Sequence, residues 1–224
     1  MRMNKFKTLK DHVYDYIASQ IAIGNLRPNE RINENTICQE LDISRTPVRE
    51  ALIQLASEGI LETQPRKGFV LKSLSEKDAA ELYTIIGTLD GLCVQLAAPN
   101  LGDKDIKEMQ FYVDSMYLAI ESRNYEIYMK QQKLFHQIYI DQCGNDMLIH
   151  YLDNLKNKFI KQGYTDEEAE GEIYTVLKNT NDEHAVICQL LIDHKIAEVA
   201  EYIAKVHWAP EKAQFDLLSA PEKN

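Results

Sequence analysis

Apolar residues recur at helical spacing along nearly the whole chain, and one early stretch breaks that rhythm. Leu9, Val13, Ile17 and Ile21 step by four, joined by Tyr16 and Ile23, which predicts an amphipathic helix over residues 8–23. Ile37 and Leu41 mark a short second helix within residues 34–43. A tight turn leads to Ser44, a good N-cap residue, and to Pro47 in the first turn of a third helix, where a missing N–H costs little. Val48, Ala51, Leu52 and Leu55 then hold one face of that helix apolar. Residues 59–71 read instead as two short strands joined by a basic tip, Arg66-Lys67, closed by Gly68: a β-hairpin wing. Arg31-Ile32 could add a further short strand to it.

From Ser73 onward every segment reads as helix. Ser75 with Asp78 forms a capping-box pattern. Leu82, Ile85, Ile86, Leu89, Leu92, Cys93 and Leu96 then predict a long helix with an inward apolar face, closed by Pro99-Asn100. Further helices are expected over 103–123 (Ile106, Met109, Val113, Met116, Tyr117 and Ile120 inward), 125–143, 146–162, roughly 166–192, and 195–208. The acidic piece 163–172 leaves the start of the penultimate helix open. The polar tail 210–224 is expected to fray. The fold class is therefore mainly α: a winged helix-turn-helix head (1–72), an all-α helical bundle (73–209) and a tail.

Composition adds little to this picture, and charge adds more. With 224 residues, 45% of them hydrophobic and 27% charged, the chain has room for two ordinary globular domains. No apolar run approaches the ~20 residues of a membrane span. The basic N-terminus has no apolar signal-peptide core. Four scattered cysteines, Cys38, Cys93, Cys143 and Cys188, show no CxxC pair, which fits a reducing cytoplasm. The net charge of −10 is unevenly placed: residues 1–72 hold eleven Lys and Arg against nine Asp and Glu, and the remainder fourteen against twenty-six. A weakly basic head on an acidic body suits a DNA-binding head whose single-site affinity is low, so two heads on one duplex are expected.

The chemistry of the third helix agrees. Arg45, Thr46 and Arg49 fall off its apolar face near the N-terminus, where guanidinium groups can fork onto guanine edges or phosphates and first-turn N–H groups favour a phosphate. Arg66 and Lys67 on the wing would lie beside the groove.

Together the ordered motifs Ile23-Gly24-Asn25-Leu26-Arg27-Pro28-Asn29-Glu30-Arg31-Ile32, Glu34, Ser44-Arg45-Thr46-Pro47-Val48-Arg49-Glu50-Ala51-Leu52, Leu55, Glu58-Gly59 and Lys67-Gly68-Phe69-Val70 resemble the winged-helix domain of GntR-type bacterial transcription regulators. Asn29 stands where that family usually has glycine, and asparagine also tolerates a left-handed turn. The resemblance implies a DNA-contact set of Ser44, Arg45, Thr46, Pro47, Arg49, Arg66, Lys67 and Gly68.

The second region holds the other candidate chemistry. If the last two helices reverse around Asp193-His194, His184 and His207 fall towards the same end of the hairpin. With His136 they make a plausible site for a divalent transition metal such as zinc or nickel. Phe135-His136, Gly144-Asn145, Glu183-His184 and Val206-His207 also resemble the FCD helical ligand-binding domain of the FadR branch of the GntR family. Many of its members bind a metal through an aspartate four residues before the first histidine and two further histidines. Here that position is Gln132, a poorer ligand than a carboxylate, and metal affinity should be lower. Ile86 stands where the family commonly has an arginine suited to an anionic effector, and Asp90 where it has a glutamate. Gln132, Ile86 and Asp90 are thus the expected effector-pocket positions. The reading is a homodimeric, cytoplasmic transcription regulator that binds a double-stranded operator and a small metabolite. A metal-dependent hydrolase using the three histidines is the alternative, though no His-Glu-x-x-His pattern accompanies them; an adaptor role would leave the arginine-rich helix and wing unexplained.

Overall fold

A computed structural model describes residues 8–22, 25–27, 29–159 and 167–216. Ile23, Gly24, Pro28, the start of the acidic piece 163–172 and the end of the tail lie outside them. The chain divides into two compact units, Met1–Ser75 with Asn157–Gly163 and Asp216–Asn224, and Glu76–Lys156 with Tyr164–Phe215. The first division thus falls after Ser75, where the sequence pattern places it after Lys72.

In the first unit three helices, α1 (Leu9–Ala22), α2 (Glu34–Leu41) and α3 (Arg45–Ser57), precede a hairpin of β1 (Leu61–Gln64) and β2 (Gly68–Leu71). The Asn33 side chain caps α2 by accepting from the backbone N–H groups of Asn35 (3.1 Å) and Thr36 (3.4 Å). Asp42, at a left-handed φ of 53°, ends α2 and turns the chain towards α3. Ser44 is the N-cap of α3 by backbone conformation, but its hydroxyl oxygen makes no capping bond and is left open to another donor. Val13, Ile17 and Ile21 of α1 close on Ile37, Val48, Leu52, Leu55, Phe69 and Leu71 in one core. β1 and β2 pair antiparallel, with Leu61 opposite Leu71 and Gln64 opposite Gly68. Arg31 makes a single bridge to Val70 in place of the further strand expected there. Asn29 turns the preceding chain at a φ of 65°, as its place in the glycine position requires.

The second unit is all helix among its described residues: α4 (Glu76–Ala97), α5 (Asp103–Glu121), α6 (Tyr125–Ile140), α7 (Asp146–Lys156), α8 (Glu167–Ile192) and α9 (Ile196–Tyr202). A π-helical turn, Ile203–His207, then continues α9, and a 3-10 turn spans Pro210–Asp216. Within the tail expected to fray, Pro210–Asp216 thus form regular turns with Ala213 buried, and the remainder lies outside the described residues. α5, α6 and α7 end earlier than their apolar periodicity suggests. That pattern marks a face, and the chain leaves the helix where the last carbonyls find other donors.

α4 departs furthest from expectation. It is apolar on almost every side, and tertiary packing selects which side is inward. Gly87 and Gly91 allow α9 and the π turn to approach so closely that a Cβ at Gly91 would lie 2.7 Å from the Ala200 carbonyl oxygen. The buried face is consequently Ala79, Tyr83, Ile86, Gly87, Asp90, Gly91, Cys93, Val94 and Ala97. Of the expected inward residues only Ile86 and Cys93 are buried; Leu82 and Leu89 are half-buried, and Ile85, Leu92 and Leu96 are exposed. By length and composition alone, residues 76–100 do satisfy the requirement of a membrane span, contrary to the sequence reading. The same helix packs against α6, α7 and α9 as the centre of the second unit. Cys93, Cys143 and Cys188 are buried free thiols and Cys38 is a half-buried one.

Candidate nucleic-acid interface and metal centre

The N-terminal end of α3 presents Ser44, Arg45, Thr46 and Arg49 to solvent, with Pro47 half-buried beneath them. Both guanidinium groups meet one carboxylate: Arg45 Nε lies 3.4 Å from Glu34 Oε2, and Arg49 Nη1 lies 3.3 Å from Glu34 Oε1. Glu34 sits in the first turn of α2, where the helix dipole favours its negative charge. The arginine side chains remain 66% and 56% exposed, so the pairing orients them without removing them from a ligand's reach. On the wing, Arg66 (φ 69°) and Lys67 are exposed at the tip, and Gly68 takes a φ of 79° that lets β2 begin. The structure thus gathers the α3 set in one exposed cluster and places Arg66, Lys67 and Gly68 together on the hairpin.

In the second unit α6, α8 and the π turn bring His136, His184 and His207 together, all buried, with ligand-capable nitrogens within 4.8 Å of one another. His136 Nε2 lies 3.2 Å from His184 Nε2 and 3.4 Å from His207 Nε2. Two imidazoles bound tetrahedrally to zinc at about 2.0–2.1 Å would hold their nitrogens about 3.3 Å apart. The two separations from His136 Nε2 therefore match the spacing of ligands that share a metal ion. The cluster's hydrogen bonds also set the tautomers. His207 Nδ1 faces Glu183 Oε2 at 3.0 Å; a carboxylate accepts, so Nδ1 carries the hydrogen, and in the neutral ring Nε2 is the atom with the lone pair. Lys212 holds the other oxygen of Glu183.

His207 is the last residue of the π turn that continues the helix expected over 195–208. The Trp208 N–H donates to the Ile203 carbonyl at 3.0 Å, one residue beyond the α-helical partner, and Ile203 and His207 are both buried in this turn.

Gln132 lies one turn before His136 on α6, and its side-chain carbonyl oxygen is buried with no hydrogen-bond partner among the described residues. A neutral oxygen donor is thus present at the position where the family's aspartate is expected. Ile86 is wholly buried on α4. Asp90, also wholly buried, accepts from Tyr139 Oη on Oδ1 (2.8 Å) and from Lys156 Nζ (3.0 Å) and Trp208 Nε1 (2.8 Å) on Oδ2. Lys156 also lies 5.2 Å from the centre of the Trp208 ring. Burial and the neighbouring Asp90 push the Tyr139 phenol well above its ordinary range, so it keeps its proton and donates.

Sequence reasoning missed Glu34 as the partner of the arginines, and Tyr139, Lys156, Glu183 and Trp208 around the histidines. Tyr139 three residues after His136, and Trp208 next to His207, were legible as neighbours on a turn. Lys156 had no local signal.

Residues 9–71 match the family described as bacterial regulatory proteins, gntR family, and residues 81–208 match the FCD domain. The chain belongs to the GntR family. The HTH-type transcriptional regulator YdhC of Bacillus subtilis is 30% identical over 64% of this chain and 65% of its own length. The aligned stretch thus spans just under two thirds of that relative. The Nta operon transcriptional regulator of Aminobacter aminovorans is 27% identical over 80% of this chain and 81% of its own. A solved structure of McbR/YncC from E. coli has the same fold, with a TM-score of 0.74 at 22% identity, covering 94% of this chain and 100% of that one. A GntR-type head followed by an FCD-type helical unit is the order expected from the sequence motifs.

Proposed function

We propose that the protein is a cytoplasmic transcription regulator that binds a palindromic operator as a homodimer and responds to a small metabolite held in its helical unit. The exposed cluster of Arg45, Thr46 and Arg49 at the N-terminus of α3 carries the DNA reading: it combines two oriented guanidinium groups with a hydroxyl and free first-turn N–H groups. The wing tip, Arg66 and Lys67, contacts the backbone or the minor groove. Dimerisation is favoured by the weak charge of the head and by the exposed apolar stripe Ile85, Leu92 and Leu96 on α4, a pattern that marks an interaction surface. Family membership supports this reading and lends none to the hydrolytic alternative.

His136, His184 and His207 hold a divalent transition metal, zinc or nickel, with Gln132 as a fourth, neutral donor. Such an ion would supply a Lewis-acidic anchor for an oxygen-donor effector. Effector binding acts on transcription by favouring one arrangement of the heads over another, which requires a difference in its affinity for the two. The test is elemental analysis of untagged protein together with footprinting on its own upstream DNA, before and after chelator treatment. Near-stoichiometric metal and a palindromic footprint are expected. Metal-free protein would overturn the metal assignment, and no specific footprint under any condition would overturn the regulator.

A further inference from the structure

Tyr139 and Asp90 are wholly buried polar side chains in a helical core, where each costs several kcal/mol unless its polar atoms are satisfied. Phenylalanine and a small apolar residue would serve packing alone. Instead the two form a directed chain. The phenol has one hydrogen and gives it to Asp90 Oδ1 at 2.8 Å. Its oxygen also lies 2.6 Å from His136 Nδ1, so it can only accept there, and Nδ1 must carry a hydrogen. His136 Nε2 then keeps its lone pair, and this is the atom that faces Nε2 of both His184 and His207.

We propose that Asp90 and Tyr139 are positioning residues for the imidazole cluster: Asp90 orients the phenol, and the phenol locks His136 in the tautomer and ring orientation that offers Nε2 as a metal ligand. This rests on the reading of the cluster as a metal centre. Asp90 is itself held from further sides, by Lys156 at the end of α7 and Trp208 just beyond the π turn. The direct route from His136 Nδ1 to Asp90 Oδ2 is 3.8 Å, too long for a hydrogen bond, so the phenol is the bridge. The carboxylate polarises the phenol, the phenol polarises the imidazole, and the lone pair on Nε2 becomes more basic. Glu183 performs the same service for His207 without an intermediary.

Tyr139→Phe removes one oxygen and leaves the ring in place. The full-length, metal-stripped variant is titrated with Co²⁺ against a competing chelator, with visible d–d absorption as the readout and circular dichroism as the check on folding. Affinity should fall about 10- to 100-fold, with altered d–d bands, because a ligand freed at Nδ1 rotates or changes tautomer. Asp90→Asn, which keeps shape and removes charge, should weaken Co²⁺ binding in the same direction and stands in should Tyr139→Phe not fold. Unchanged affinity and an unchanged spectrum would overturn the proposal. If the unsubstituted protein binds no Co²⁺, the metal reading fails by itself. Long-range ¹H–¹⁵N spectra of the histidines then decide the positioning role: Nδ1-protonated His136, lost in Tyr139→Phe, upholds it, and the same tautomer in both proteins refutes it.

Discussion

Replacing Arg49 by alanine separates the DNA-reading role of α3 from its structural role. The side chain is 56% exposed, and its ionic partner Glu34 keeps Arg45 as an alternative cation, so the stability cost should stay below about 1 kcal/mol. On DNA the effect is larger. A guanidinium forked onto a guanine edge contributes about 1–3 kcal/mol of discrimination. Two heads on one operator double this to about 2–6 kcal/mol, or about 30-fold to about 10⁴-fold in affinity. The assay is fluorescence anisotropy on the footprinted operator and on a scrambled duplex, across a salt series. If Arg49 reads a base, specific affinity collapses, the scrambled duplex is barely affected, and discrimination relaxes at one position in each half-site. If it binds phosphate, both duplexes weaken alike and the slope of log K against log salt becomes shallower by about 0.9 for each phosphate no longer neutralised. Specific affinity within about threefold of the unsubstituted protein, with the same salt slope, would refute the placement of Arg49 at the DNA.

Two further outcomes follow from the helical unit. Gly91→Ala puts a Cβ 2.7 Å from the Ala200 carbonyl oxygen, a backbone atom that cannot swing aside. The gain in helix propensity of about 1 kcal/mol is then outweighed by overpacking of about 1–3 kcal/mol, and urea denaturation should show lower stability despite the better helix former. An alanine variant at least as stable as the original would mean that α4 and α9 do not approach as closely as described. Leu92→Asp charges a side chain that is 40% exposed on the α4 stripe, so the fold should survive while the dimer dissociates. Sedimentation velocity checks this, and a dimer that persists at low micromolar concentration would move the interface elsewhere.

Much of the head was legible along the chain because its determinants are local. The i,i+4 apolar steps of α1, the proline after Ser44 and the Gly68 turn each act within a few residues, and they placed three helices and a hairpin where the structure has them. The arginines and the wing residues were readable for the same reason. In the second unit, three histidines on separate helices could be brought together from spacing and family likeness, because helix rise is regular. What the sequence could not supply was the choice among equivalent faces. α4 is apolar nearly all round, so its periodicity favoured the leucine stripe, while the glycines at 87 and 91 gave α9 a closer approach and turned that stripe outward. Likewise no local signal marks Ile203–His207 as a π turn rather than a plain continuation of the helix expected over 195–208. The chain around Asp90 joins residues from α4, α6, α7 and the end of the π turn. Hydrogen bonds between such distant residues depend on distances that exist only once the helices have packed, and no local pattern encodes them.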